Sequence, residues 1–116
     1  GGGKGGHVPT TRPMAVVDRL LPLRHDLRIA DDAPGAAPRA RRPRHTIGAE
    51  VWVRVAAEPG REPAPEQFAG LATDGTFTVE FARAQAGRTA AYRLRWVGTR
   101  GLVGPWGTPA TATIAA

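Results

Sequence analysis

The stretch Ala90–Trp106, AAYRLRWVGTRGLVGPW, decides the fold. Its first half alternates: Tyr92, Leu94 and Trp96 fall on one face, Arg93 and Arg95 on the other. A period of two is the signature of a β-strand with one buried face. Its second half, Gly98–Gly104, is a glycine-bearing loop that ends at Pro105-Trp106. The strand is the most apolar and aromatic of the chain, so the rest is expected to pack around it.

Working outward, the same alternation recurs. Ile47–Ala56 sets Val51, Val53 and Val55 against Glu50, Trp52 and Arg54. Phe68–Thr73 reads as a short strand anchored by Phe68 and Leu71, and Asp74-Gly75 is a two-residue turn signal. Thr76–Phe81 points Phe77, Val79 and Phe81 inward, and Ala86-Gly87 turns the chain into the central strand. Thr108–Ile114 is a last strand, with Ala110, Ala112 and Ile114 in phase. Toward the N-terminus, Met14–Val17 reads as a short edge strand, since prolines such as Pro9 and Pro13 are tolerated there. A helical turn over Val16–Leu21, ended by Pro22, is the rival reading. Leu23–Ala30 aligns Leu23, Leu27 and Ile29; His25 falls in phase with them and reads as a rim residue rather than a metal ligand. About seven short strands separated by turn residues indicate an all-β, antiparallel two-sheet immunoglobulin-like sandwich.

At 116 residues the chain fits one domain. Fifteen glycines and eleven prolines argue against long helices and for many turns. The expected division is a Gly-rich tail over 1–8 and a single sandwich over 9–116. With no cysteine there is no disulfide and no thiolate site. The formal charge is +6, carried almost wholly by arginine, with Lys4 the only lysine. That usage fits the coding bias of a GC-rich genome, so the charge alone does not argue for a nucleic-acid partner. No apolar run approaches the roughly 20 residues that span a bilayer. No signal peptide is visible, and the compartment is left open.

Two segments depart from the strand pattern. Gly1–Gly6 is five glycines and a lysine, a linker-like composition lacking the strand and Gly-Lys-Ser/Thr context of a phosphate loop. Asp31–Thr46 has three prolines, no periodicity and the basic cluster Arg39, Arg41, Arg42, Arg44 and His45. It reads as a surface loop, and its arginines are the candidate polyanion-binding residues.

Tyr92-x-Leu94-x-Trp96 followed by Gly101-x-x-Gly104-Pro105-Trp106 resembles the end of a fibronectin type III domain. There a tyrosine opens the sixth strand, and a Gly-x-x-Gly-Pro-Trp-Ser-like loop precedes the seventh. Gly87-Arg88-Thr89-Ala90-Ala91-Tyr92 is similar to the family's approach to that strand. The C-terminal half also looks like bacterial proteins that end in such a module. The clear part of the match covers Ile47–Ile114. Two positions depart: Gly107 stands where the family usually has serine, and Leu27 and Ile29 stand where the second strand usually has tryptophan. The resemblance implies that Tyr92 is a tyrosine-corner residue whose hydroxyl bonds nearby backbone. It also implies that Trp106 lies outside the core with Arg93 and Arg95, as in the Trp-Ser-x-Trp-Ser loops of cytokine receptors. With the third and sixth strands adjacent, the expected outer ladder is Trp52, Arg54, Arg93, Arg95 and Trp106.

No catalytic set is found. The sequence has no serine, which excludes a Ser-His-Asp triad, and no asparagine, which excludes N-glycosylation. His7, His25 and His45 lack metal-site spacing. Asp31-Asp32 reads as a solvated pair rather than a calcium site, and Glu62 and Glu66 as loop residues without a cleft. No cofactor is implied. The expected role is a non-catalytic protein-interaction, structural or spacer module, contacting its partner through the Trp/Arg face or through an edge strand open to β-augmentation. Its partner would be another protein or another domain of a longer chain, with room for a homo-oligomer. The alternatives are binding of nucleic acid or acidic glycan by the Arg39–His45 loop, and carbohydrate binding on an exposed tryptophan face.

Overall fold

The alternating segments all become strands. The structure, a computed structural model, describes residues 8–32, 43–58, 60–62 and 64–116. Its strands are β1 (Pro13–Asp18), β2 (Arg24–Asp31), β3 (Thr46–Val55), β4 (Gln67–Ala72), β5 (Thr76–Glu80), β6 (Thr89–Gly98) and β7 (Ala110–Thr113). A single 3₁₀ turn, Arg83–Gln85, joins β5 to β6. They form two antiparallel sheets, ordered β1-β2-β5 and β4-β3-β6-β7. The edge-strand reading of Met14–Val17 holds: β1 runs along β2 alone, from Pro13 opposite Asp31 to Asp18 opposite Asp26.

The two sheets face each other across a core of Leu27, Ile29, Val51, Tyr92, Leu94, Trp96 and Ile114. Phe77, Val79 and Phe81 pack against it while half-buried. Burying a large apolar side chain stabilises by about 1.5–3 kcal/mol, so these positions dominate the driving force.

Two inward positions differ from the sequence reading. His25 is not at the rim: it is 0% exposed, at the centre of the sandwich. Its Nε2 lies 3.0 Å from the Thr113 carbonyl oxygen and its Nδ1 2.7 Å from the Tyr92 hydroxyl. A carbonyl only accepts, so Nε2 carries the proton and the Tyr92 hydroxyl donates to Nδ1. Tyr92 therefore spends its hydroxyl on a side chain of the facing sheet, not on the nearby backbone a tyrosine corner would use. Burial pushes that hydroxyl well above the ordinary tyrosine value. Phe68 and Leu71 also differ. They anchor nothing inside: both face outward, Phe68 54% exposed. The register explains this. Gly70 opposes Val51 while Phe68 opposes Trp52, so Ala69 is an extra residue in a β-bulge that turns Phe68 to the outer face.

The segment after β6 runs back along it. The Gly98 N–H donates to Leu102, Gly104 to Trp96 and Gly107 to Leu94 before β7 pairs with the start of β6. This return path sets Trp106 beside Arg93 and Arg95. A Cβ at Gly107 would collide with the Pro13 carbonyl oxygen, which accounts for glycine where the resembled family has serine. β1 closes too tightly on the return segment for a side chain there.

Candidate functional site

The outer face of the four-stranded sheet collects every residue of the expected ladder. The pleat sends Glu50, Trp52 and Arg54 outward from β3, and Ala91, Arg93 and Arg95 outward from β6. Register sets Trp52 opposite Arg93, Glu50 opposite Arg95 and Arg54 opposite Ala91. The Arg93 and Arg95 guanidinium carbons lie 3.7 and 4.2 Å from the Trp106 ring centroid. Such stacking contributes about 0.5–1 kcal/mol per pair at an exposed site, and more as water is removed.

Two carboxylates complete the row. Glu66 takes both Arg93 Nε (3.2 Å) and a terminal nitrogen (2.6 Å), a bidentate clamp. Glu50 accepts from Arg95 Nε at 2.8 Å and from the Trp52 indole N–H at 3.0 Å. Trp52 then meets Phe68, ring centroids 5.3 Å apart and tilted by 57°. The continuous order is Glu66, Arg93, Trp106, Arg95, Glu50, Trp52, Phe68. Trp52 joins Trp106 through a shared carboxylate rather than ring to ring. Arg54 lies on the same face, exposed, and forms no ion pair or ring stack among the described residues.

Sequence reasoning missed Glu50, Glu66 and Phe68 as members. Glu50 was legible, since it alternates onto the tryptophan face. Glu66 precedes β4 and meets Arg93 only through the fold, and Phe68 is turned outward by a bulge that no pattern announces.

The other candidates resolve differently. Of the basic loop, Arg44 is exposed, while Arg39, Arg41 and Arg42 lie outside the described residues. Asp32 accepts the Arg12 backbone N–H at 3.0 Å, and Asp31 accepts the buried Trp96 indole N–H at 3.3 Å. Both aspartates are thus engaged in structure. Among the described residues no cluster of His, Cys, Asp and Glu is placed to hold a metal ion. No helix among them is long and apolar enough to cross a membrane.

Solved structures share this fold. The third fibronectin III domain of the human KIAA0343 protein superposes with a TM-score of 0.65 over 99% of this chain and 93% of that one, at 12% identity. The fold is fibronectin type III-like. The twitchin kinase region of C. elegans superposes with a TM-score of 0.55 at 17% identity, over 91% of this chain; the chain spans 16% of that longer protein. No family model and no curated protein sequence matches the chain. Because one sandwich hosts many roles, the site rather than the fold must argue the function.

Proposed function

We propose that this fibronectin type III-like domain is a non-catalytic protein-interaction or structural module whose contact surface is the outer face of the four-stranded sheet. One observation carries the reading: exposed Phe68 packs on half-buried Trp52 beside a Trp/Arg stack whose charges are already cancelled by Glu50 and Glu66. The row is therefore nearly neutral and amphipathic, and it can be desolvated without leaving an unpaired ion so long as Arg54, which has no ion pair among the described residues, stays at the wet rim. Trp, Phe and Arg are the residues enriched at the centres of protein interfaces. The partner is another protein or a neighbouring domain. A sugar platform fits less well, because the Trp106 ring already carries two guanidinium groups.

The test is comparative capture from the source cell, with immobilised wild type against Phe68→Ala. Phe68 is 54% exposed, so the variant should melt within about 3 °C of wild type. The expected result is loss of the specific partners. An unchanged set of captured proteins removes this face as the contact.

A second reading, polyanion binding, has its own observation. Arg39, Arg41, Arg42 and Arg44 fall within six residues of sequence, with His45 next to them and no acid among them. Binding through the Arg39–His45 loop predicts retention on heparin or DNA that falls steeply with salt. No retention at low salt ends this reading.

A further inference from the structure

Among the described residues, four strands have an edge without a hydrogen-bonded neighbour: β1, β5, β4 and β7. They are not equivalent. β1 packs alongside β7, so those two edges shield each other. β4 carries the Ala69 bulge, a device that breaks the regular spacing another strand would need. β5 is regular, and no described strand pairs with its outer edge.

The phase of its hydrogen bonds is fixed. The Phe81 N–H donates to Leu23, and the Ile29 N–H donates to Gly75. In an antiparallel ladder bonded pairs alternate. Phe77 and Val79 therefore also bond toward β2, while the backbone groups of Thr76, Thr78 and Glu80 point to the open edge. The Thr76 N–H is taken by the Asp74 carboxylate at 3.2 Å. The groups of Thr78 and Glu80, and the Thr76 carbonyl, are left as a template.

Beside that edge the sandwich is open. A slot of about 300 Å³ enters between the sheets, walled by Val53, Val55, Ala69, Phe77, Val79 and Phe81. At one end it is closed by Phe77, whose ring fills the space a Cβ on Gly70 would need, 2.7 Å from the ring tip. On the rim stands Glu80, exposed and without an ion pair among the described residues. Arg24, directly across from it on β2, is engaged by Asp26 at 3.0 Å.

We propose that β5 and this slot receive one extended segment of a partner protein by antiparallel strand addition, with sequence pattern basic, bulky apolar, polar, small apolar. The side-chain order follows from the pleat. The partner residue opposite Glu80 faces outward and is basic. The residue opposite Val79 enters the slot and is bulky. The residue opposite Thr78 faces outward, and the residue opposite Phe77 meets the closed end and must be small. This rests on the reading of the domain as an interaction module; the slot opens beside β5 rather than on the Trp/Arg row, and Phe68 borders both.

The test is an amide-shift titration of the labelled protein with the end-blocked peptide Lys-Leu-Thr-Ala-Thr. The expected result is saturable shifts at Thr78 and Glu80 with matching shifts of the Val53 and Val79 methyls. Replacing the peptide's Lys by Glu should weaken binding about fivefold, the worth of an exposed ion pair. Glu80→Lys should reverse that preference. Thr78→Pro removes an edge N–H, leaves the backbone ladder to β2 in place though it gives up the Thr78 hydroxyl bond to Asp26, and should abolish the shifts; if that variant does not fold, Glu80→Lys decides alone. The proposal is overturned if no saturable shift appears on β5, if the shifts map only to Trp52 and Phe68, or if Glu80→Lys leaves the preference unchanged. It is equally overturned if the free protein is a dimer that Thr78→Pro dissociates, since the occupant is then a second copy. If the peptide fails while Phe68→Ala still loses partners, the interaction reading stands and only the edge inference falls.

Discussion

His25 and Tyr92 tie the two sheets together at the scale of single atoms. His25 belongs to β2, its hydroxyl donor Tyr92 to β6, and its carbonyl acceptor Thr113 to β7. Phe81 closes the ring edge-on, centroids 4.9 Å apart. No buried side-chain polar atom among the described residues lacks a partner, so this network is fully satisfied. Satisfied buried networks specify one register of sheet on sheet, because any slip strands a donor or acceptor in the core. Tyr92→Phe removes the only hydrogen described as bound at His25 Nδ1 and leaves that nitrogen buried without a donor. The expected loss is about 1–3 kcal/mol, read as a shift in the midpoint of urea unfolding with unchanged slope. A variant as stable as wild type would mean that the pair contributes packing alone. His25→Phe, which removes the polar group while keeping an aromatic ring, should leave the Tyr92 hydroxyl as the unsatisfied group and cost a comparable amount.

Elements pack here by close approach of backbone, and that shows what a sequence pattern can and cannot reveal. The seven strands and their inward faces were legible, because alternation reports directly which side of a pleat is dry; the β3–β6 adjacency was legible only through the family resemblance. The stacking of Trp106 on Arg93 and Arg95 was legible through a family resemblance carried by the Gly-Pro-Trp loop. The bulge at Ala69 was not, since one extra residue leaves no compositional trace, and it reversed the reading of Phe68; Leu71 faces out because it opposes Glu50. The depth of His25 was not, since a histidine in phase with apolar residues reads the same at a rim and in a core. The glycine at Gly107 read as a departure, and its reason appears only when β1 is in place. Pro13 opens β1 with its carbonyl oxygen against the position a Cβ would take. Gly107→Ser should therefore push β1 outward rather than restore a family feature. The expected result is a destabilisation of about 1–3 kcal/mol, the usual range for overpacking. Faster hydrogen exchange of the Met14–Asp18 amides should accompany it. Unchanged exchange in β1 would show that the return segment, not β1, yields.

Across the whole molecule, arginine outnumbers acid, yet the acids that matter are held against specific partners. Asp26 is the clearest case on the β1-β2-β5 sheet: its Oδ1 accepts from the Thr78 hydroxyl at 2.7 Å and from Arg24 Nε at 3.0 Å. The Thr78 bond, with the Arg24 bond behind it, holds its carboxyl below the ordinary aspartate value. Asp74 is held down in the same direction by the backbone N–H and then the hydroxyl of Thr76, the bonds that form the β4–β5 turn. The sign follows from linkage. A carboxyl with a depressed folded pKa binds protons more weakly than in the unfolded chain, so acid favours unfolding. The stability these groups supply is present above the unfolded aspartate pKa and is lost as pH falls through the folded values. Melting temperatures should therefore hold steady from neutrality to about pH 5 and fall below about pH 4. Asp26→Asn keeps an acceptor for Thr78 but does not titrate. It should melt lower than wild type at neutral pH and converge with it in acid. Parallel curves across the range would show that the Asp26 carboxylate carries no folding linkage, and the acid limb would then belong to Asp74 and the turn it closes.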